Sequence, residues 1–210
     1  MTRELIALAS ADFPIPAVDG HLLDELLQPR LALLWGTQAP TRTLLAAATV
    51  VAARGLPLRL FDGGNSFDGY FVARLARRLT SDPQAVLRRL RLSRAFTCFQ
   101  LAELIENAPA APDPLFVLDL LATFYDESVP LRDSERLLAT TLTHLKRLAQ
   151  AGPVIVGARP PRTATTPRPS AWGPRPGREV LIEVLETTAD AVWLLRAPAP
   201  ESPLQPRLFE

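Results

Sequence analysis

The sequence predicts an α/β fold, with a mostly parallel central sheet flanked by helices, on three observations. Short apolar runs alternate along the chain with segments of helical character, the pattern of a parallel sheet with covering helices. The runs are continuously apolar, as strands buried on both faces are. The clearest helix, Arg132–Ala151, carries apolar residues at 137, 138, 142, 145, 148 and 149, close to the helical period.

The elements follow in order. Residues 1–30 form an N-terminal segment with a helical start at Glu4–Ala9, a proline-containing loop and a short helix around His21–Leu27. A core domain spans 31–195. Its expected strands are Leu31–Trp35, Leu58–Asp62, Leu90–Arg94, Leu115–Asp119 and Pro153–Ala158. Between them the expected helices are Thr41–Arg54, Asp68–Leu79, Pro83–Arg88, Cys98–Asn107 and Arg132–Ala151. Residues 159–178 hold six prolines, five arginines and no acid, and read as a mobile loop. Glu179–Glu186 and Ala191–Leu195, joined by the turn-like Thr187–Asp190, read as an antiparallel hairpin at one sheet edge. A flexible proline-rich tail, 196–210, completes the chain.

The 210 residues suit one domain, and a hydrophobic content of 48% suffices for a full core. A net charge of +1 provides no global field toward nucleic acid or membrane, so such binding requires local patches. One cysteine, Cys98, excludes an intramolecular disulfide framework and fits a reducing compartment. No apolar run is long enough to span a bilayer, and the opening Met1-Thr2-Arg3-Glu4 lacks a signal-peptide pattern. The expectation is a cytoplasmic protein without membrane contact. His21 and His144 are too few and too distant for a metal site.

The most informative segment is Gly36-Thr37-Gln38-Ala39-Pro40-Thr41-Arg42-Thr43, between the first core strand and the helix after it. A phosphate-binding loop there would read G-x-x-x-x-G-K-[ST]. Gly36 and Thr43 match. Thr41 stands for the second glycine and carries a Cβ that disfavours the amide-opening conformation. Arg42 stands for the lysine with a longer, planar head that does not reproduce a compact ammonium. The pattern suits an ordinary strand-to-helix turn better than a phosphate cradle.

Several linked segments, in order, resemble the RecA/RadA recombinase family over residues 25–195. Leu60-Phe61-Asp62-Gly63-Gly64-Asn65-Ser66-Phe67 resembles its second strand end. Asp82-Pro83-Gln84-Ala85-Val86-Leu87 with Leu90–Ala95, and then Phe99-Gln100-Leu101, resemble the passages that follow. Leu115-Phe116-Val117-Leu118-Asp119 resembles its Walker B strand, with Phe124 and Tyr125 after it. The resemblance implies a RecA-like core with a degenerate Walker A. Gly64 stands where the family places the glutamate that orients the attacking water, a role glycine cannot fill. Asp68, close by, reads as a helix cap. Asp119 matches the Mg²⁺-holding aspartate and equally fits a retained packing feature, and Ala158-Arg159 replaces the polar sensor pair. The expectation is a pseudo-ATPase without catalytic residues or cofactor, retaining at most weak ATP–Mg²⁺ binding through Gly36, Thr41, Arg42, Thr43 and Asp119.

The resemblance also puts residues 159–178 where the family carries a DNA-binding loop. Arg159, Arg162, Arg168, Arg175 and Arg178 could neutralise phosphates of single-stranded DNA, and Trp172 could stack on a base. A second basic run, Arg74, Arg77, Arg78, Arg88, Arg89, Arg91 and Arg94, reads first as solvated surface. In the family, an N-terminal apolar anchor joins subunits into oligomers, a part Phe13 could take. Gln205, Leu208 and Phe209 fit the short Q-x-x-L-F peptide that docks on sliding clamps. These residues together suggest a non-catalytic accessory protein of DNA repair or recombination, with a RecA/RadA-like recombinase, a sliding clamp or its own copies as partners. The alternatives are an atypical ATPase using Arg42, Thr43 and Asp119, or a RecA-like interaction regulator without DNA contact.

Immobilised sliding clamp is expected to retain the full chain and to release it when Leu208 and Phe209 are both replaced by alanine; equal recovery of the two proteins removes the clamp peptide.

Overall fold

The structure is a computed structural model that describes residues 2–6, 20–36, 40–161 and 177–196. Its strands are β1 (Thr2–Ile6), β2 (Leu31–Trp35), β3 (Leu58–Asp62), β4 (Leu90–Arg94), β5 (Leu115–Leu118), β6 (Val154–Ala158) and β7 (Ala191–Arg196). They form one seven-stranded sheet in the order β1-β7-β2-β6-β5-β3-β4, every neighbouring pair parallel. The helices are α1 (Gly20–Leu26), α2 (Pro40–Ala53), α3 (Gly69–Leu79), α4 (Pro83–Arg89), α5 (Cys98–Glu106), α6 (Leu131–Ala149) and α7 (Val180–Thr188).

Period-two alternation along the strands sorts the core into two layers. Ala32, Leu34, Leu58, Leu60, Phe116, Leu118, Ile155, Trp193 and Leu195 turn to one face, against α1, α2, α3 and α4. Leu31, Leu33, Leu115, Val117, Val154 and Val156 turn to the other, against α5, α6 and α7. The central strands are buried on both sides, which explains their continuous apolar sequence. Each fully buried Leu, Val or Phe contributes roughly 1.5–3 kcal/mol.

The helices begin where the sequence provides side-chain caps. Asp68 accepts from Phe71 N at 2.9 Å, Asp82 from Ala85 N at 2.9 Å and Thr97 from Gln100 N at 3.2 Å. Each satisfies an otherwise unpaired amide of the first turn. Asp68 is therefore a cap, as its position suggested.

Two expectations are corrected. The C-terminal hairpin does not exist: residues 180–188 form helix α7, and β7 lies parallel to both β1 and β2. Its β-branched and leucine-rich run suggested a strand, but burial of Leu181, Ile182 and Leu185 follows a helical stripe. A parallel neighbour also needs a crossover, which a short turn cannot supply. The helical start at Glu4–Ala9 is likewise replaced over its first part, since Thr2–Ile6 is edge strand β1. Pairing with β7 overrides local helix preference there. Residues 7–9, and Phe13, lie outside the described part.

One polar contact locks the start of β2 to the turn after α7. Asp190 Oδ2 accepts from Leu31 N at 2.8 Å, Asp190 N donates to Leu31 O at 2.8 Å, and Lys146 Nζ donates to Asp190 Oδ1 at 2.5 Å. Lys146 is the only lysine of the chain. Burial opposes ionisation of Asp190, but the hydrogen bonds from Lys146 and Leu31 and the charges of Lys146 and Arg30 outweigh it and hold the carboxyl below its ordinary range. The unfolded chain therefore binds the proton at a higher pH than the folded one does. Asp190 contributes stability above its unfolded pKa, and that contribution is lost as pH falls through the folded value. Denaturant titrations are expected to show a loss of stability below about pH 4 that is smaller in Asp190→Asn, the aspartate's unfolded pKa being about 3.9.

Candidate functional site

The C-terminal ends of β2, β3, β5 and β6 carry the residues singled out in the sequence. Gly36 follows β2 with φ 156° and donates its amide to Ala158 O at 3.3 Å. A Cβ built on it would lie 2.1 Å from Leu195 O. The glycine is needed because β7 runs against it, whatever the loop beyond it does. Thr37–Ala39 lie outside the described residues. Helix α2 starts at Pro40, where a missing N–H costs nothing. Thr41 is half-buried and Thr43 is buried. Arg42 is exposed and rests its guanidinium over the Phe71 ring of α3, 5.1 Å from the centroid.

At the end of β3, Asp62 is fully buried and organises the turn after it. Its carboxylate accepts from Ser66 N at 2.9 Å, Ser66 Oγ at 3.2 Å and Phe67 N at 3.1 Å. Arg94 Nε, its register partner on β4, donates to Oδ2 at 3.1 Å. The turn passes through Asn65 in the left-handed region, φ 48°, which asparagine tolerates. It brings Gly64 against β5: a Cβ there would lie 2.8 Å from Asp119 Cβ and 2.9 Å from its Oδ2. A glutamate at Gly64 has no room.

Asp119 leaves β5 at φ 50°, a conformation aspartate adopts more readily than most residues. The residue is only 2% exposed. Arg159, at the end of adjacent strand β6, donates from Nε to Asp119 Oδ2 at 2.8 Å, and its Nη2 donates to the same oxygen. Asp119 Oδ1 is buried and has no hydrogen-bond partner among the described residues. Tyr125 O–H donates to the Arg159 carbonyl at 2.9 Å. Burial, with the charges of Asp119 and Glu179, pushes the Tyr125 phenol well above its ordinary range, so it serves as a neutral donor. The carboxylate that resembled a metal ligand is thus already paired with a cation from its own chain. No group of three metal-ligating side chains occurs among the described residues.

Arg178 is a second arginine bonded to groups of its own chain. It donates to Phe124 O, to Val129 O and, at 3.2 Å, to Ser134 Oγ, whose residue is buried at the start of α6. Arg159 and Arg178 therefore flank the arginine- and proline-rich segment and both fasten to residues 119–134. Arg162, Arg168, Trp172 and Arg175, and the peptide at Gln205, Leu208 and Phe209, lie outside the described residues.

The site therefore unites Asp119, Arg159, Tyr125 and Gly64, and holds Arg42 apart on Phe71. By residue type and position alone, Asp119 and Arg159 belong to separate roles. Their adjacency was legible only if β5 and β6 were taken as neighbours, since both residues immediately follow those strands. Among the described residues, no helix is long and apolar enough to cross a membrane.

Replacing Arg159 by alanine is expected to lower stability by about 1–3 kcal/mol, the cost of leaving a buried acceptor uncompensated, moderated because half of the arginine faces solvent. Gly64→Ala is expected to cost a similar ~1–3 kcal/mol through overpacking against Asp119. Urea titration of each variant measures both. Set against protein-family models and curated proteins, the chain matches none.

Proposed function

We propose that this chain is a non-catalytic, RecA/RadA-like accessory protein of DNA repair or recombination that contacts single-stranded DNA, a recombination or replication partner, or both. The observation that carries the non-catalytic part is the Asp119–Arg159 pair. Phosphoryl transfer needs a metal-bound phosphate and an oriented water. Here the carboxylate at the end of β5 already holds an arginine. The neighbouring position that would orient water is a glycine pressed on that same carboxylate. Arg42, in the place of the phosphate-binding lysine, stacks on Phe71. Each feature supports an architecture kept without its chemistry.

The DNA-contacting part rests on composition. Residues 159–178 carry five arginines and no acid. Arg159 and Arg178 bond to groups of their own chain, and Arg162, Arg168 and Arg175 are the further arginines offered to phosphate, with Trp172 for stacking.

Two measurements test the reading. Calorimetry and phosphate release with ATP–Mg²⁺ are expected to show neither tight binding nor turnover. Robust turnover that Arg42→Ala abolishes would establish the ATPase alternative. Anisotropy with labelled single-stranded DNA is expected to show affinity that falls with salt. Replacing Arg162 and Arg168 should reduce the slope of log affinity against log salt by about 0.7 for each phosphate no longer neutralised. Absence of binding at low salt would favour an interaction regulator without DNA contact.

A further inference from the structure

Charge is spread unevenly over this chain. Residues 63–102 hold seven arginines and two acids, while the whole chain carries only +1, so the remainder is net negative. Both acids are spent locally. Asp68 and Asp82 cap α3 and α4 through their carboxylates. Asp82 also lies 3.8 Å from Arg88, an exposed contact that contributes little. The arginines therefore set the field on this side of the molecule.

Much of that charge is gathered on the outer side of α3 and α4, which pack together. In α3, Phe71, Val72, Leu75 and Ala76 face the core. Tyr70, Arg74, Arg77 and Arg78 are exposed, and at 3.6 residues per turn they fall on one stripe opposite the buried one. Arg74 lies over the Tyr70 ring, 5.7 Å from its centroid. Arg42, laid over Phe71, adds an exposed cation where α3 begins, and Arg88 adds one from α4. A helix C-terminus favours cations, which accounts for Arg77 and Arg78 but not for Arg74 or Arg42. Arg91 belongs to the other face. It stands in register with Arg59, which alternates with the core-facing Leu58 and Leu60 and whose Nη1 donates to Pro109 O at 2.6 Å.

We infer that the outer side of α3 and α4 is a docking surface for the phosphate backbone of double-stranded DNA, bound without regard to sequence. It is separate from residues 159–178 and stands whether or not those residues contact single-stranded DNA. Helix α3, with 11 residues, is about 16 Å long. Duplex DNA carries one charge per about 1.7 Å of its axis, so a helix laid along it meets several phosphates. Guanidinium forks suit phosphate oxygens. A single strand needs aromatic rings in series on which to stack, and the one exposed ring on this stripe, Tyr70, already lies against Arg74. An acidic protein partner needs buried anchors at the centre of its contact, and the α3 stripe offers arginines there. Contacts to phosphate position a protein on DNA and carry no base information.

The test follows the anisotropy of fluorescein-labelled DNA duplexes on the full chain at rising salt. Two duplexes of unrelated sequence are expected to bind equally, with affinity that falls as salt rises. Arg74→Gln combined with Arg77→Gln should weaken binding at least tenfold at low salt. It should also lower the slope of log affinity against log salt by about 0.9 for each arginine. Arg91→Gln, on the other face, should change affinity less than twofold. The Arg74 and Arg77 loss should recur when Arg162 and Arg168 are already alanine, which separates this surface from the loop. If the paired variant fails to fold by circular dichroism, Arg88→Gln, a single exposed change, decides by the same slope. Duplex binding that depends on Arg74 and Arg77 in the absence of any single-strand binding supports this surface and removes the loop's role. Three results overturn the inference: no duplex binding at low salt, equal losses in Arg91→Gln and the paired variant, or a loss confined to the Arg162 and Arg168 variant. Polyglutamate that binds as tightly as duplex and is lost on the same substitutions would overturn it in favour of an acidic protein partner.

Discussion

A carboxylate buried at the end of a strand must find a cation, and the centre of this molecule is arranged around that requirement. Asp119 is almost wholly removed from water, and an unpaired charge in such a place would cost several kcal/mol. Arg159 meets the need from the next strand. Because the arginine sits there, Tyr125 can close over its carbonyl and Gly64 can pack against the carboxylate. The same solution appears at the neighbouring pair of strands, where buried Asp62 of β3 is held by Arg94 of β4. In both places a strand-end aspartate is matched by an arginine from its neighbour in the sheet, and a tight turn is built over the pair.

At the carboxyl ends of these strands, several described side chains are engaged by groups of their own chain. Open α/β sheets usually bind ligands beyond the carboxyl ends of their strands. In this chain those ends hold internal ion pairs, a glycine forced by the approach of β7, and an arginine laid on an aromatic ring. The arginine excess lies elsewhere, along α3, α4 and β4 and in the arginine- and proline-rich segment.

The alternation of apolar runs and helical segments marked out the middle of the fold well. Strands β2 through β6 and helices α2 through α6 fall within a residue or two of the positions read from sequence. Buried parallel strands leave an unbroken apolar signature, and Asp68, Asp82 and Thr97 mark helix starts by local hydrogen bonds. Both signals are short-range. At the two ends, secondary structure depends on distant partners and departs from local sequence character. Val180–Thr188 has a β-like composition but fills a crossover, and Thr2–Ile6 is a strand because β7 offers it an edge.

The site divides along the same line. The sequence by itself determined that Thr41, Arg42 and Gly64 depart from the residues a phosphate-binding and water-orienting site would hold, because residue type is a local property. It also determined the arginine excess and the placing of each candidate at a strand end. Only the tertiary structure decided which groups meet. The sheet order puts β6 beside β5, so Arg159 reaches Asp119, and puts β4 at the open edge, so Arg91 stands beside Arg59. Strand order is set by how two layers of helices cover the sheet, a long-range packing outcome that no single segment encodes.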